Sequence, residues 1–289
     1  MNKVPVARSI GFAYRFTFGQ FGTIIGLIWL PVLLTTLLGY FVMNGYAAAF
    51  AQAVAEDNPG AAGQAGLLLI GYSILALFFY SMIYVAVSRQ ALGLREGGAV
   101  VHLELGPAAW RMFGALLALT IMLAFFYVLL LLVGLGIVAA SQSMGSARQP
   151  VAIFGLAVFF IGFCAFLFVA VRLAFLLAPV VVAEGRVSLS RGWALTRGNF
   201  WRLLTILLAT LLPLLLIFGG AELLIFGPQY FAANAHPTLA QRVAHLQQMN
   251  RGLPLLYGLS FVMSPFLSGL GLGASACAYR ALRSDAEPA

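Results

Sequence analysis

Residues 112–140 read MFGALLALTIMLAFFYVLLLLVGLGIVAA, a stretch without one charged side chain. Crossing the ~30 Å hydrocarbon layer of a bilayer as a helix takes ~20 apolar residues, so this run is long enough to span. Backbone amides meet no water at that depth, and only helices or closed barrels satisfy them internally. A barrel would show alternating strands of about 10 residues, a pattern missing here, which leaves the helix. Working outward, comparable runs occupy approximately 19–45, 66–88, 151–183, 203–225 and 253–279, with the one at 151–183 interrupted only by Arg172. The spacing predicts an all-α polytopic integral membrane protein with six transmembrane helices. Residues 1–283 form its single membrane domain, and 284–289 form a polar tail expected to be disordered.

Composition points the same way. Hydrophobic residues make up 62% of the chain and charged residues 8%, against about 25% charged in an ordinary soluble domain, more apolar surface than a soluble core can use. A net charge of +8 would suggest nucleic acid in a soluble protein. Here the basic residues sit in short connections between apolar runs and read as topology signals, so no nucleic-acid partner is expected. Lys3 and Arg8 precede an apolar run ending in Ala49, Phe50 and Ala51, the outline of a secretory signal. A signal's apolar core is about 7–15 residues, whereas this run extends from about Phe18 to Tyr46 and is read as the first span. Cys164 and Cys277 stand singly in apolar segments and are expected to be free packing residues.

Six spans put both ends of the chain on one side. That side receives Lys3, Arg8, Arg15, Arg89, Arg95, Arg111, Arg186, Arg191, Arg197, Arg202, Arg280 and Arg283. The other receives Arg148, Arg242 and Arg251, with Glu56 and Asp57 in its first loop. Excess Lys and Arg mark the cytoplasmic face, so both termini are predicted to be cytoplasmic. On the opposite side, the connection at 226–252 contains Pro237 and Thr238 followed by Leu239, Val243, Leu246 and Met249 at helical spacing, which predicts a short amphipathic surface helix.

The segments entering the first, third and fifth spans resemble one another. Gly11-Phe12-Ala13-Tyr14 with Gly19-Gln20-Phe21, Ala109-Trp110-Arg111-Met112-Phe113-Gly114, and Gly192-Trp193-Ala194-Leu195 with Gly198-Asn199-Phe200-Trp201 suggest three copies of one unit, each an interfacial segment leading into a helical hairpin. Arg172 is a charge inside an apolar run, and Glu184 lies within reach of Arg186 and Arg191. Both are candidates for structural ion pairing, while Glu222 falls at the far end of its span and is not expected to meet Arg172. His102, His236 and His245 are scattered, as are the eight acidic residues, so no metal site, cofactor or catalytic carboxylate pair is expected. Gly269, Gly271 and Gly273 lie in an apolar run with no preceding strand and read as a small-residue packing face rather than a dinucleotide loop. Pro31, Pro179, Pro213 and Pro265 are candidate kinks.

The stretch Pro179-Val180-Val181-Val182-Ala183-Glu184-Gly185, then Ser190 through Trp201, Arg202 and Leu203, resembles a signature of bacterial six-helix membrane proteins. These include the membrane domain attached to some glycerophosphodiester phosphodiesterases and the YciC-like inner-membrane family. The resemblance implies a bacterial inner (plasma) membrane location. It carries no catalytic residue across, because in the phosphodiesterases the chemistry belongs to a separate soluble barrel that this chain does not contain. The expected function is therefore noncatalytic: organising lipid, possible anionic phospholipid included, or a membrane protein partner or second copy. Arg191, Trp193, Arg197, Asn199, Trp201 and Arg202 are the candidate interface, because cationic and aromatic side chains together suit phosphate headgroups. The alternative is a small-solute or lipid transporter or a channel subunit.

Overall fold

A computed structural model describes residues 3–55, 59–95, 103–143, 148–227 and 239–283. Among these residues there is no strand. The helices are α1 (Val6–Gly19), α2 (Phe21–Ala55), α3 (Pro59–Leu92), α4 (Pro107–Ser143), α5 (Arg148–Ala174), α6 (Leu177–Glu184), α7 (Leu189–Leu195), α8 (Phe200–Phe226) and α9 (Leu239–Arg283). Six stretches are long and apolar enough to cross a membrane: Phe21–Ala49, Gly66–Leu92, Pro107–Ala140, Ile153–Glu184, Phe200–Phe226 and Gln248–Arg283. The protein is a polytopic all-α membrane protein, and each span overlaps one of the runs read from hydropathy. Glu56, Asp57, His102, His236, Pro237, Thr238 and the tail 284–289 lie outside the described residues.

The fourth span is not one helix. It breaks at Phe175 and Leu176, and α6 starts again with Pro179 in its first turn. Proline has no N–H and its ring crowds the carbonyl four residues back, here Phe175, so the break falls where Pro179 would otherwise disrupt a hydrogen-bonded turn. In the first turn of a new helix that missing N–H costs nothing, since those donors have no intrahelical partner. Leu177, Ala178, Pro179, Val180 and Val181 are all buried, so α6 forms the centre of the bundle.

The sixth span departs from expectation in the other direction. No separate amphipathic helix precedes it, because α9 runs unbroken from Leu239. Gln248 Nε2 donates to the Phe226 carbonyl (2.8 Å), and Asn250 Nδ2 donates to Asn44 Oδ1 (2.6 Å), fixing this end of α9 to α8 and α2.

The expected interfacial segments also behave unequally. In the first and third units a helix (α1 or α7) ends, the chain turns at Gln20 or at Gly198 and Asn199, and a span begins. In the middle unit Ala109 to Gly114 form the opening turns of α4 itself, and Trp110 packs on Phe78 with ring centroids 4.7 Å apart. Nor does α1 simply lie across the surface. The Val4 N–H donates to Asn199 Oδ1 (3.0 Å), and ten residues later Tyr14 Oη donates to the Ala209 carbonyl (3.1 Å). The same offset on both chains means that α1 and α8 run side by side for about 15 Å at 1.5 Å per residue.

On its other flank α1 meets α9. A Cβ added to Gly269 would lie 2.7 Å from Thr17 Oγ1, and one added to Gly273 would lie 2.9 Å from Phe16 Cδ1. Of the small-residue face read from the sequence, Gly269 and Gly273 therefore form the seat of α1, and Gly271 does not. One core cluster joins Ile24, Ile28, Ile83, Met112 and Leu177, and a second joins Val4, Ala13, Leu203, Ile206, Leu270 and Tyr279. Val4 is bonded to Asn199 and Arg202 at the start of α8, and Tyr279 near the end of α9 to Glu184, only the short α7 away from that start, which puts both described ends of the chain on one face.

Candidate functional site

The face shared by the chain ends carries the arginines, and three of them, Arg111, Arg172 and Arg280, are held by helix ends. An α-helix leaves its last four carbonyls without intrahelical partners, and these carry partial negative charge. Arg280 Nη2 donates to Ala91 O at the end of α3 (2.8 Å). Arg111 Nη1 donates to the carbonyl of Gly185, whose positive φ of 66° closes α6. Arg172 Nη2 donates to Trp193 O at the end of α7 (2.6 Å). Arg89 is instead ion-paired with the buried Glu104 (2.8 Å). Burial draws the Arg95 guanidinium below its ordinary pKa, an effect the Glu104 carboxylate opposes.

Glu184 is the convergence point of this face. Its Oε2 accepts from Arg186 Nη2 (3.0 Å), and its Oε1 accepts from Arg191 Nε (3.1 Å) and from Tyr279 Oη (3.3 Å). With Arg111 on the adjoining carbonyl, the end of α6 is tied to α4, α7 and α9. Ser188 caps α7 by accepting from the Arg191 N–H (3.2 Å), so Arg191 is engaged through both backbone and side chain.

Arg172 departs from the ion pairing expected of it. Its guanidinium is buried, donates from Nε to Thr196 Oγ1 (3.2 Å), and lies 3.7 Å from the Trp193 ring centroid and 5.3 Å from that of Phe168. Carbonyl, hydroxyl and ring faces take the place of a carboxylate, an arrangement that arginine's planar fork suits.

The remaining candidates divide clearly. Asn199 is buried and accepts from the Val4 N–H, while Arg202 Nη1 donates to the Val4 carbonyl (2.9 Å), so the pair clamps the start of the chain. Arg197 is exposed, and Trp201 is 76% exposed. Lys3, Arg8 and Arg15 are exposed on the adjoining N-terminal segment. Of the six interface candidates, Arg197, Trp201 and Trp193 (37% exposed) are therefore exposed, Trp193 while also supporting Arg172; Arg191, Asn199 and Arg202 hold helices together.

Within the spans, polar groups that hydropathy did not single out line up on α9. Tyr257, Ser260, Ser264, Ser268 and Ser275 recur at spacings of three, four or seven, which places them on one helix face. Tyr257, Ser260 and Ser264 line a cavity of about 100 Å³ with Val32, Thr35, Thr36, Tyr72 and Tyr80. Ser268 and Ser275 line a larger, mainly apolar cavity of about 430 Å³, and Tyr80 belongs to both. The signal was legible as a helical period of hydroxyls, but it disappears in a hydropathy average.

Among the described residues no three His, Cys, Asp or Glu side chains gather as metal ligands would. No family model, curated protein or solved structure matches the chain.

Proposed function

We propose that this is a noncatalytic protein of the bacterial inner membrane, with both termini in the cytoplasm, that organises anionic phospholipid through its basic, aromatic face. The observation that carries the reading is the outward presentation of Arg197 and Trp201 beside a network in which the neighbouring cations are engaged. An exposed Trp suits headgroup depth, and each cation near an anionic surface contributes about 1 kcal/mol of attraction. The likeness of 179–203 to the six-helix family supports the same location. A membrane protein partner is the other ligand this face suits.

Arg197→Gln combined with Trp201→Ala tests the reading without touching the clamp on Val4 or the Glu184 ion pairs. Phosphatidylglycerol should raise the melting temperature of the detergent-solubilised wild type more than phosphatidylcholine does. The double variant should lose that difference, with at least a fivefold weaker dependence on phosphatidylglycerol, as expected for the loss of about 1 kcal/mol. An undiminished preference for the anionic lipid would overturn the proposal.

A second reading, transport of a small uncharged solute, is favoured by one observation. The hydroxyl-lined cavity at Tyr72, Tyr80, Tyr257, Ser260 and Ser264 stands between spans and offers donors and acceptors without any charge.

A further inference from the structure

α9 carries three glycines at alternate positions, and the structure uses them differently. Gly269 and Gly273 are packed hard against α1, while a Cβ on Gly271 would find no atom within 4 Å. Gly271 lines the 430 Å³ cavity together with Ala170 and Ala174 of α5. Small residues on α5 and α9 keep this space clear, where a leucine at any of the three would occupy it.

The cavity's size falls within the roughly 300–1,000 Å³ typical of small-molecule sites. Its lining holds no charged side chain: leucines and alanines dominate, and the polar groups are the hydroxyls of Tyr80, Tyr84, Ser268 and Ser275. An ionised group would be stranded there, whereas a hydrocarbon chain would regain dispersion contacts that an empty space forfeits. Depth identifies the source of such a chain. Leu207 and Leu211 on the α8 wall lie about 10 and about 16 Å along the helix from Phe200, so in a core ~30 Å thick the cavity runs from the leaflet on the basic side to about the midplane. Toward the basic face, Phe168 and Phe200 pack with centroids 4.8 Å apart, and Trp193 lies against Phe168 at 5.9 Å. Next to this aromatic group stand the exposed Arg197 and Trp201.

We propose that the cavity between α3, α5, α6, α8 and α9 holds one acyl chain of an anionic phospholipid from this leaflet, with its headgroup against Arg197 and Trp201. The inference rests on the lipid-organising reading for the headgroup and adds to it a fixed seat for the tail. Charge complementarity selects the lipid: the lining is neutral, and the exposed side chain beside the aromatic floor is a cation.

The test is native mass spectrometry of the full chain released from nanodiscs of mixed phosphatidylglycerol and phosphatidylethanolamine. The wild type should retain one phosphatidylglycerol. Gly271→Leu, whose Cβ would meet no atom within 4 Å, fills the cavity from α9 and should lower the lipid-bound fraction at least tenfold while leaving the melting temperature unchanged or raised. Ala174→Phe fills it from α5 and should do the same, which keeps the test decisive if one variant fails to fold. Arg197→Gln should keep a bound lipid and lose the preference for phosphatidylglycerol. Wild-type retention in a folded cavity-filling variant overturns the tail site, even if Arg197→Gln abolishes headgroup preference and so upholds the surface reading. Lipid lost on cavity filling, with no headgroup preference in the wild type, upholds the tail site and overturns the surface reading.

Discussion

Arg172 shows how a buried cation is accommodated with no anion beside it among the described residues. Its donors reach Trp193 O and Thr196 Oγ1, and its plane lies against the Trp193 ring. A hydrogen bond from a charged donor is worth about 1.5–3 kcal/mol, and a desolvated cation over a ring about 2 kcal/mol. Arg172→Leu removes the charged donor from the Trp193 carbonyl and leaves it only the Thr196 hydroxyl at 3.1 Å, and it should destabilise the protein by about 2–4 kcal/mol in reversible unfolding in mixed detergent. Arg172→Lys keeps the charge but loses the fork and should fall between the two. A leucine variant as stable as wild type would mean that lipid or water satisfies α7 equally well. The charge was legible in the sequence as an exception within an apolar run, and so was Glu184 among its arginines. Arg172's partner was not, because a carbonyl acceptor belongs to every residue and leaves no mark in composition. The same holds for Asn199 and Arg202, whose shared target is the backbone of Val4 at the other end of the chain.

At the scale of elements, hydropathy located the spans well and the helix boundaries less well, for a physical reason visible in α6 and α9. Hydropathy reports where a chain leaves the hydrocarbon, whereas helix ends depend on backbone hydrogen bonds. α9 therefore continues past its apolar part, unbroken even at Pro254 and Pro265, while the apolar run at 151–183 contains a break just ahead of Pro179. The glycine face of α9 was legible as a packing surface, but α1 as its occupant was not. An amphipathic segment ahead of the first span reads equally well as lying in the headgroups, and only tertiary contact reveals that Ser9, Ala13, Phe16 and Thr17 are buried. Docking of α1 can be tested through Gly269→Leu, which drives a side chain into Thr17 and Ile24. In a background with Cys164 and Cys277 replaced by alanine, Ala13→Cys should react with a water-soluble maleimide at least tenfold faster when Gly269→Leu is present. Gly271→Leu should leave that rate unchanged, because its space faces the cavity and not α1. Equal rates in all three backgrounds would show that α1 does not depend on this seat.

For the whole molecule, the first and third hairpins are interlocked through α1, which leaves its own unit to pack beside α8 and α9. The middle hairpin is joined to the rest through Trp110, Glu184 and the Phe168 cluster, while farther along, α4 and α5 present Phe125, Leu132, Leu135, Phe154 and Phe160 outward, as lipid-facing helices do. The arginines on the basic face thus have two roles at different times. In the folded protein Arg111, Arg172 and Arg280 satisfy helix-end carbonyls and Arg202 satisfies Val4, but while the spans are being inserted those acceptors are not yet assembled and every cation counts toward orientation. Engagement in the fold therefore does not weaken the topology signal, and Lys3, Arg8, Arg15 and Arg197 remain exposed to add to it. A fluorescent protein that matures only in the cytoplasm, fused after the last residue, should fluoresce in a bacterial host. Alkaline phosphatase, active only outside the cytoplasm, should be inactive at that position and active when inserted after Gly227, where α8 ends on the opposite face. The reverse pattern would place the arginine network outside the cytoplasm and remove the membrane surface on which the lipid proposal depends. Arg111→Gln, which releases the Gly185 carbonyl, should lower stability but leave both reporters unchanged, because the remaining cations still fix the orientation.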